Sequence, residues 1–116
     1  MSRQKRFCLR ADQIKPLAER QGACIATDKI TVKGHKVGHM YREYPDNDID
    51  SGWRFMAGHE SREYMDNADN HCIYDVNTIA NYDPDIIPFL GAPFESAFER
   101  NRDSGKFEEI AFEPPD

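Results

Sequence analysis

The sequence predicts an α+β fold, in which a mainly antiparallel sheet of about five to six strands is accompanied by two or three short helices. The first observation is the region 37–58, where two runs of alternating apolar and polar residues flank a loop rich in turn-forming residues. The second is that strand-like and short helix-like segments follow one another without the regular alternation of parallel βαβ units. Together, these observations favour antiparallel pairing.

The first third of the chain predicts three strands and a helix. Pro16 is suited to the first turn of a helix and Gly22 to its end. Residues 23–27 are apolar and short, which is typical of a core strand. The predicted elements are a short strand at 7–9, a helix at 16–22, the core strand at 23–27, and a short strand through Ile30 and Val32 before a turn at Gly34.

The two alternating runs predict a β-hairpin, and its register carries a charge problem. If Met40 faces Met56, then Arg42 lies opposite Arg54 on the same side of the sheet. Like charges directly opposite each other are unfavourable. We therefore predict that a carboxylate from the intervening acidic loop, or from a neighbouring element, lies between the two guanidinium groups.

The second half of the chain predicts further strands and two capped helices. Asn77 stands where a helix N-cap is expected, and Asp83 followed by Pro84 repeats this arrangement. Residues 60–68 fit either a weak helix or an irregular loop. The predicted elements are strands at 71–76, 94–100 and 106–112 and helices at 78–82 and 84–90.

Length and charge limit the classes of protein. A chain of 116 residues fits a single domain, 1–116, with frayed ends at 1–6 and 113–116. Acidic residues outnumber basic ones by 21 to 15, giving a net charge of −6. This balance argues against a nucleic-acid partner and is compatible with a basic protein partner.

The cysteines and the hydropathy of the sequence indicate the cellular compartment of the protein. Three cysteines without a Cys-x-x-Cys spacing are typical of free thiols in a reducing environment. The basic start of the chain is not followed by an apolar run, and no segment has the apolar length of a membrane span. The sequence therefore predicts a cytoplasmic protein with no membrane contact, and it leaves the oligomeric state open.

Candidate catalytic and metal-binding groups do not form a known pattern. Asp46, Asp48 and Asp50 have the spacing that opens a calcium loop, but Ala57 stands where the loop needs a glutamate. His35 and His39, in a strand, would lie too far apart to share a metal. We predict no enzymatic activity, no cofactor and no metal site.

Several runs of sequence resemble one known family. They are Gly22-Ala-Cys-Ile-Ala-Thr-Asp-Lys-Ile-Thr31, Val37-Gly-His-Met-Tyr-Arg-Glu43, Asp50-Ser-Gly-Trp-Arg-Phe55 and Ile73-Tyr-Asp-Val-Asn-Thr-Ile-Ala-Asn-Tyr-Asp-Pro84. In this order they resemble the immunity protein 33 domain of bacteria, first described as a domain of unknown function, over residues 7–100. The resemblance implies a cytoplasmic antidote that binds and blocks a toxin, and it supplies no catalytic residues.

The hairpin and its loop contain the residues that we expect to bind a partner. Carboxylates would face a basic patch, and aromatic and arginine side chains would form the centre of the interface. Trp53 fits either a core position with its indole N–H bonded or a binding surface. The predicted partner-binding residues are Tyr41, Arg42, Tyr44, Asp46, Asp48, Asp50 and Arg54. The alternative is a small-ligand-binding or enzymatic domain that uses a cleft near the hairpin.

Overall fold

The computed structural model describes residues 5–113 and contains a six-stranded mixed sheet with a few short helices. The strands are β1 (Ala23–Thr27), β2 (His39–Arg42), β3 (Asp50–Met56), β4 (His71–Asp75), β5 (Ser96–Arg100) and β6 (Phe107–Ile110). The α-helices are α1 (Asp28–Thr31), α2 (Arg62–Asp66) and α3 (Val76–Tyr82). Three 3₁₀ segments complete the described elements, at Ala11–Gln13, Ala68–Asn70 and Pro84–Phe89.

The strands lie in the order β4-β1-β3-β2-β5-β6, and only the β1–β3 pair is parallel. The predicted α+β class with a mainly antiparallel sheet is therefore confirmed. The predicted core strand at 23–27, the hairpin, and the strands near 71–76, 94–100 and 106–112 are also confirmed, with ends shifted by a few residues.

One face of the sheet carries the hydrophobic core. Cys24, Met40, Trp53 and Phe55 point to this face and pack against α1, α3 and the 3₁₀ segment Pro84–Phe89. Trp53 donates its indole N–H to the Leu90 carbonyl oxygen at 3.2 Å. The first of the two interpretations of Trp53, a core tryptophan with a bonded indole, is the one that the structure supports.

The second face of the sheet is less covered. Directly paired residues share a face, so the register places Ile25, Arg54, Tyr41 and Ile73 together on the side away from the core. Among them, Ile25 and Tyr41 are half-buried and Ile73 is exposed. We call this side of the sheet, with the residues that border it, the second face.

Two predicted strands near the start of the chain are wrong. Residues 7–9 form no strand, because the Cys8 N–H donates to the Thr31 carbonyl oxygen and the Leu9 N–H donates to the Tyr82 hydroxyl. These bonds hold the segment over the helices. Ile30 belongs to α1, in which both Ile30 and Thr31 are buried. A strand would place the side chains of these two adjacent residues on opposite faces, so it could not bury both against the same core.

The predicted helix at 16–22 is also wrong. The Asn77 side chain accepts hydrogen bonds from the N–H groups of Leu17 and Ala18, and the Asn81 side chain accepts one from Lys15. The Lys15 carbonyl oxygen in turn accepts from both amides. This segment therefore satisfies its backbone through α3 rather than through helical bonds of its own.

The two predicted helix caps have different outcomes. Asn77 is not the N-cap of α3, because the Asp75 carboxylate accepts the capping hydrogen bond from the Asn77 N–H. Asp83 does cap the following segment, as predicted, because its carboxylate accepts a hydrogen bond from the Asp85 N–H. Pro84 occupies the first position of that segment. That segment is a 3₁₀ helix. In the region 60–68, whose sequence fits either a weak helix or an irregular loop, the structure contains the helix α2.

The predicted frayed ends fall largely outside the described part of the chain. Residues 1–4 and 114–116 lie beyond it. Within it, the Lys5 ammonium group lies 2.9 Å from an Asp28 carboxylate oxygen. Among residues 5–113, no helix combines the length and the apolar character needed to cross a membrane.

Candidate functional site

The loop that joins β2 to β3 is held in shape by its own side chains. We call residues 43–50 the acidic loop. The Asn47 side-chain oxygen accepts hydrogen bonds from the N–H groups of Ile49 and Asp50 at 2.9 and 3.0 Å. The Asp50 carboxylate accepts one from the Asp46 N–H at 3.0 Å. Bonds of this kind from Asn and Asp fix the local turns, so the loop has a defined shape before any partner binds.

Arg54 anchors the acidic loop from within the sheet. Its side chain is 6% exposed and binds both Asp50 oxygens, at 2.8 and 2.9 Å. Its Nε donates to the Glu43 carboxylate, and an Asp46 oxygen lies 4.0 Å away. Three carboxylates thus surround one guanidinium group, which leaves the cluster with an excess of negative charge.

The ionisation of this cluster follows from those contacts. The Arg54 hydrogen bonds lower the pKa of Asp50 well below its usual range, against the opposing effect of burial. Burial alone would lower the pKa of Arg54, but the hydrogen bonds to Asp50 and Glu43 outweigh it and raise that pKa. Both groups are therefore charged at neutral pH, and the ion pair persists there.

The predicted register of the hairpin is wrong by one residue. Met40 pairs with Phe55, so Arg42 lies opposite Trp53 and Tyr41 lies opposite Arg54. Arg42 therefore points to the core side, where it donates to the Ser51 and Ala92 carbonyl oxygens at 2.9 and 2.7 Å. The two arginines do not face each other. The predicted carboxylate between the two guanidinium groups is therefore wrong: carboxylates bind Arg54, whereas backbone carbonyl groups bind Arg42.

The two strands approach each other closely at Gly52. This residue has a φ of +88°, and a Cβ atom there would lie 2.1 Å from the Glu43 carbonyl oxygen. The Glu43 N–H also donates to the Gly52 carbonyl oxygen at 3.0 Å. Only glycine allows so close an approach of the two strands in this conformation. Simple alternation in the sequence does not reveal this contact.

Apolar side chains are exposed beside the carboxylates of the acidic loop. Tyr44 is 65% exposed and Ile49 is 74% exposed. The Tyr44 ring lies 5.2 Å from that of Phe94, and the Arg42 guanidinium group lies 4.5 Å from the centre of the Phe94 ring. Arg42 thus packs against the exposed aromatic pair of Tyr44 and Phe94.

The structure separates the predicted partner-binding residues into three groups. Tyr44, Asp46 and Asp48 lie on the surface of the acidic loop. Asp50 and Arg54 form the ion pair that holds the loop from within the sheet, whereas Arg42 lies on the core side and binds the Ser51 and Ala92 carbonyl oxygens. Tyr41 lies on the second face, where burial and then the neighbouring Glu43 raise its pKa.

Sequence reasoning missed three residues of this site, namely Glu43, Ile49 and Phe94. Glu43 follows Tyr41 by two positions, so alternation along the strand could have placed it beside Arg54. The exposure of Ile49 and the approach of Phe94 depend on contacts between distant parts of the chain.

A separate cleft of about 430 Å³ lies at the opposite end of the hairpin. Gly38, His39, His59 and Arg100 help to line it. Burial lowers the pKa of His39, although Glu99 and Glu60 oppose this effect. Arg100 is already bound to protein groups, among them the Val37 carbonyl oxygen and two carboxylates. The other charged residues that line the cleft are Lys36, Glu99 and Arg102.

The histidines near this cleft are not arranged as predicted. His35 precedes β2 rather than lying in it, and its ring centre is 4.9 Å from that of His59. Between residues 5 and 113, no three His, Cys, Asp or Glu side chains are grouped closely enough to hold a metal ion.

The fold and this loop describe a class of small α+β domain in which a hydrogen-bonded loop carries exposed carboxylates and an exposed tyrosine. Sequence comparison identifies the family. The immunity protein Imm33 domain matches residues 24–111, and the chain therefore belongs to this family of immunity protein domains. The match runs from β1 to β6 and confirms the resemblance seen in the sequence. No curated protein and no solved structure matched the chain.

Proposed function

We propose that this protein neutralises a protein toxin in the bacterial cytoplasm by binding it through the acidic loop and covering its active surface. Membership of an immunity protein family supports a toxin as the partner. The observation that carries the choice of surface is the exposure of Tyr44 and Ile49 beside Asp46 and Asp48 on a loop with a fixed backbone.

The loop combines the two features that a tight, fast-forming interface needs. Aromatic side chains with large exposed surfaces are frequent hot spots, and Tyr44 with Phe94 offers such a pair. The carboxylates around Arg54 exceed its single positive charge, and the whole chain carries −6. A toxin with a basic surface is the partner that this charge would attract.

Each predicted binding residue has a role in this proposal. Tyr44, Asp46 and Asp48 contact the toxin directly. Asp50, Arg54 and Arg42 hold the loop in its binding shape, which lowers the entropy lost on association. Tyr41 would reach a toxin that extends from the loop onto the second face. The mechanism needs no cofactor, nucleic acid or membrane.

Co-expression with the product of an adjacent toxin-like gene tests the proposed function. The toxin alone should stop bacterial growth, and this chain should restore it while forming a stable complex with the purified toxin. A toxin that remains fully active in the presence of excess folded chain would contradict the proposal for that pair.

Replacing Asp46 and Asp48 together with asparagine should slow association with the toxin by about threefold or more, because exposed rim charges act mainly on the encounter rate. Asp50 is left unchanged, since its bond to Arg54 supports the fold. Surface plasmon resonance at several salt concentrations would measure the rate, and its salt dependence should become weaker.

The matched control carries Asp103→Asn and Glu109→Gln, which remove the same charge from exposed positions outside the acidic loop. Its association rate should stay closer to that of the unchanged protein. Equal slowing in both double variants would mean that overall charge, rather than the acidic loop, governs the encounter.

Replacing Tyr44 with alanine should weaken toxin binding by about 2 kcal/mol or more, mainly through faster dissociation, because the complex loses an aromatic side chain that the interface would bury. The expected change in stability is small, since Tyr44 is mostly exposed. Phe7→Ala removes another exposed aromatic side chain, one that packs on Tyr74, and serves as the control. Unchanged dissociation of the Tyr44 variant would exclude this residue from the interface.

A further inference from the structure

A hollow of about 200 Å³ opens on the second face beside the acidic loop. Its lining includes the apolar side chains of Ile25, Met56 and Met65. The polar residues that line it are Thr27, Tyr41, Glu43, Arg54 and His71. The apolar walls come from three different elements, namely β1, β3 and α2. A space of this size suits a single long side chain rather than a whole small molecule of drug size.

The walls of the hollow can adapt to what enters it. Methionine has three rotatable bonds and a polarisable sulfur, so Met56 and Met65 can fit closely around an unbranched alkyl stem. Both side chains are half-buried, as is Ile25. An alkyl stem between these residues would bury apolar surface that otherwise contacts water.

The charge beside the hollow determines which chemical group is favoured at the end of the alkyl stem. Glu43 borders the hollow and binds Arg54, which Asp50 also binds. Arg54 itself lines the hollow, and its single positive charge is shared among Glu43, Asp50 and, at 4.0 Å, Asp46, so the cluster beside the hollow is negative overall. A purely apolar or an acidic side chain would exclude water from Glu43 without replacing its lost solvation, which is costly.

A cation at the rim would compensate that charge and would also meet the Tyr41 ring. Lysine and arginine join an alkyl stem to a cationic end, and both interact favourably with the face of a tyrosine ring. A second copy of this chain is a poorer occupant, because each copy carries −6 and the two acidic surfaces would repel each other.

We propose that the hollow on the second face receives one lysine or arginine side chain of a basic protein partner. The alkyl stem lies between Ile25, Met56 and Met65, and the cationic end binds Glu43 beside the Tyr41 ring. The identity of the partner as a toxin depends on the proposed function above, whereas the preference of the hollow for a cationic side chain can be tested without any toxin.

The test uses blocked amino acids as probes and the methionine methyl groups as reporters. The protein is labelled with ¹³C at its methionine methyl groups and titrated at low salt with N-acetyl-arginine methylamide or N-acetyl-lysine methylamide. The Met56 and Met65 signals should shift and saturate with roughly millimolar affinity, as expected for ligands of this size. Met40 is fully buried in the core and should not shift.

The controls separate charge from length. N-acetyl-norleucine methylamide has a similar stem without the cation, and N-acetyl-glutamate methylamide carries the opposite charge. Both should bind at least about fivefold more weakly than the cationic probes. The proposal is overturned if neither cationic probe gives a saturable shift at Met56 or Met65, or if the neutral and acidic probes bind equally well.

A variant strengthens the assignment of Glu43. Glu43→Gln should weaken the binding of the arginine probe by about fivefold or more, while Asp103→Asn, which changes a remote exposed carboxylate, should leave it unchanged. An unchanged Met40 signal would show that the core of each variant is intact, and unchanged probe binding in a folded Glu43→Gln variant would contradict the role of this residue. If the Met40 signal of this variant is altered, the comparison of probes on the unchanged protein still decides the proposal.

The outcomes for the hollow and for the toxin are distinguishable. Cationic probes that bind while the adjacent toxin escapes neutralisation would refute the proposed function and leave the hollow as a site for basic side chains. A neutralised toxin together with unresponsive Met56 and Met65 signals would refute the hollow and leave the acidic loop as the binding surface.

Discussion

Replacing Arg54 with methionine is expected to lower the free energy of unfolding by about 3–5 kcal/mol at pH 7. The substitution keeps much of the side-chain volume but leaves the carboxylates of Asp50 and Glu43 without their cation, and Asp50 is almost buried. Urea denaturation would measure the change. The matched control is Asp46→Ala, which removes a carboxylate 4.0 Å from Arg54 that is 82% exposed, and it should cost no more than about 1 kcal/mol.

The effect of pH provides a second test of the same ion pair. In the unchanged protein Arg54 lowers the pKa of Asp50, so this contribution to stability is present above the unfolded-state pKa and is lost as the pH falls through the folded-state pKa. Without Arg54, burial raises the pKa of Asp50, and protonation relieves the unpaired charge. The stability difference between the two proteins should therefore be larger at pH 7 than near pH 4. A difference independent of pH would mean that lost packing, rather than charge, explains the destabilisation.

Replacing Asp83 with alanine should also lower the free energy of unfolding by about 3–5 kcal/mol. The Asp83 side chain is 1% exposed and accepts hydrogen bonds from the Val37 N–H, the Asp85 N–H and Arg100. Its removal leaves a buried N–H and a nearly buried guanidinium group with fewer partners. Thermal unfolding followed by circular dichroism would report the loss.

Asp85→Ala is the matched control for Asp83, because both carboxylates bind Arg100. Asp85 lies 3.0 Å from the guanidinium group but is 55% exposed, so its loss should cost no more than about 1 kcal/mol. Similar losses in the two variants would show that burial does not decide the contribution of these ion pairs.

The elements that the sequence predicted well are those specified by local patterns. A short apolar run identified β1, and alternation of apolar residues identified both hairpin strands. Asp83 followed by Pro84 identified the start of a helical segment. The failures depend on distant partners. The segment after Pro16 is bound by Asn77 and Asn81, more than fifty positions away, so its local pattern was misleading.

The candidate site shows the same division between local and distant effects. The acidic loop, Tyr44 and Asp46 were recognised because turn-forming and charged residues are grouped in the sequence. The burial of Arg54 and the position of Arg42 on the core side follow from the observed register of β2 and β3, which differs by one residue from the register that the sequence predicted. A shift of one residue moves every side chain of a strand to the other face, so small errors in register become large errors in the site.

The arrangement of the sheet also determines when the chain can begin to fold during synthesis. Of the strands that the structure describes, β1 and β2 leave the ribosome before the others, and they are not neighbours in the sheet, because β3 lies between them and pairs with both. A nascent chain that ends before Asp50 therefore contains no pair of adjacent strands among those described. The emergence of β3, which carries Arg54, completes the centre of the sheet and brings the partners of the acidic loop together in a single step.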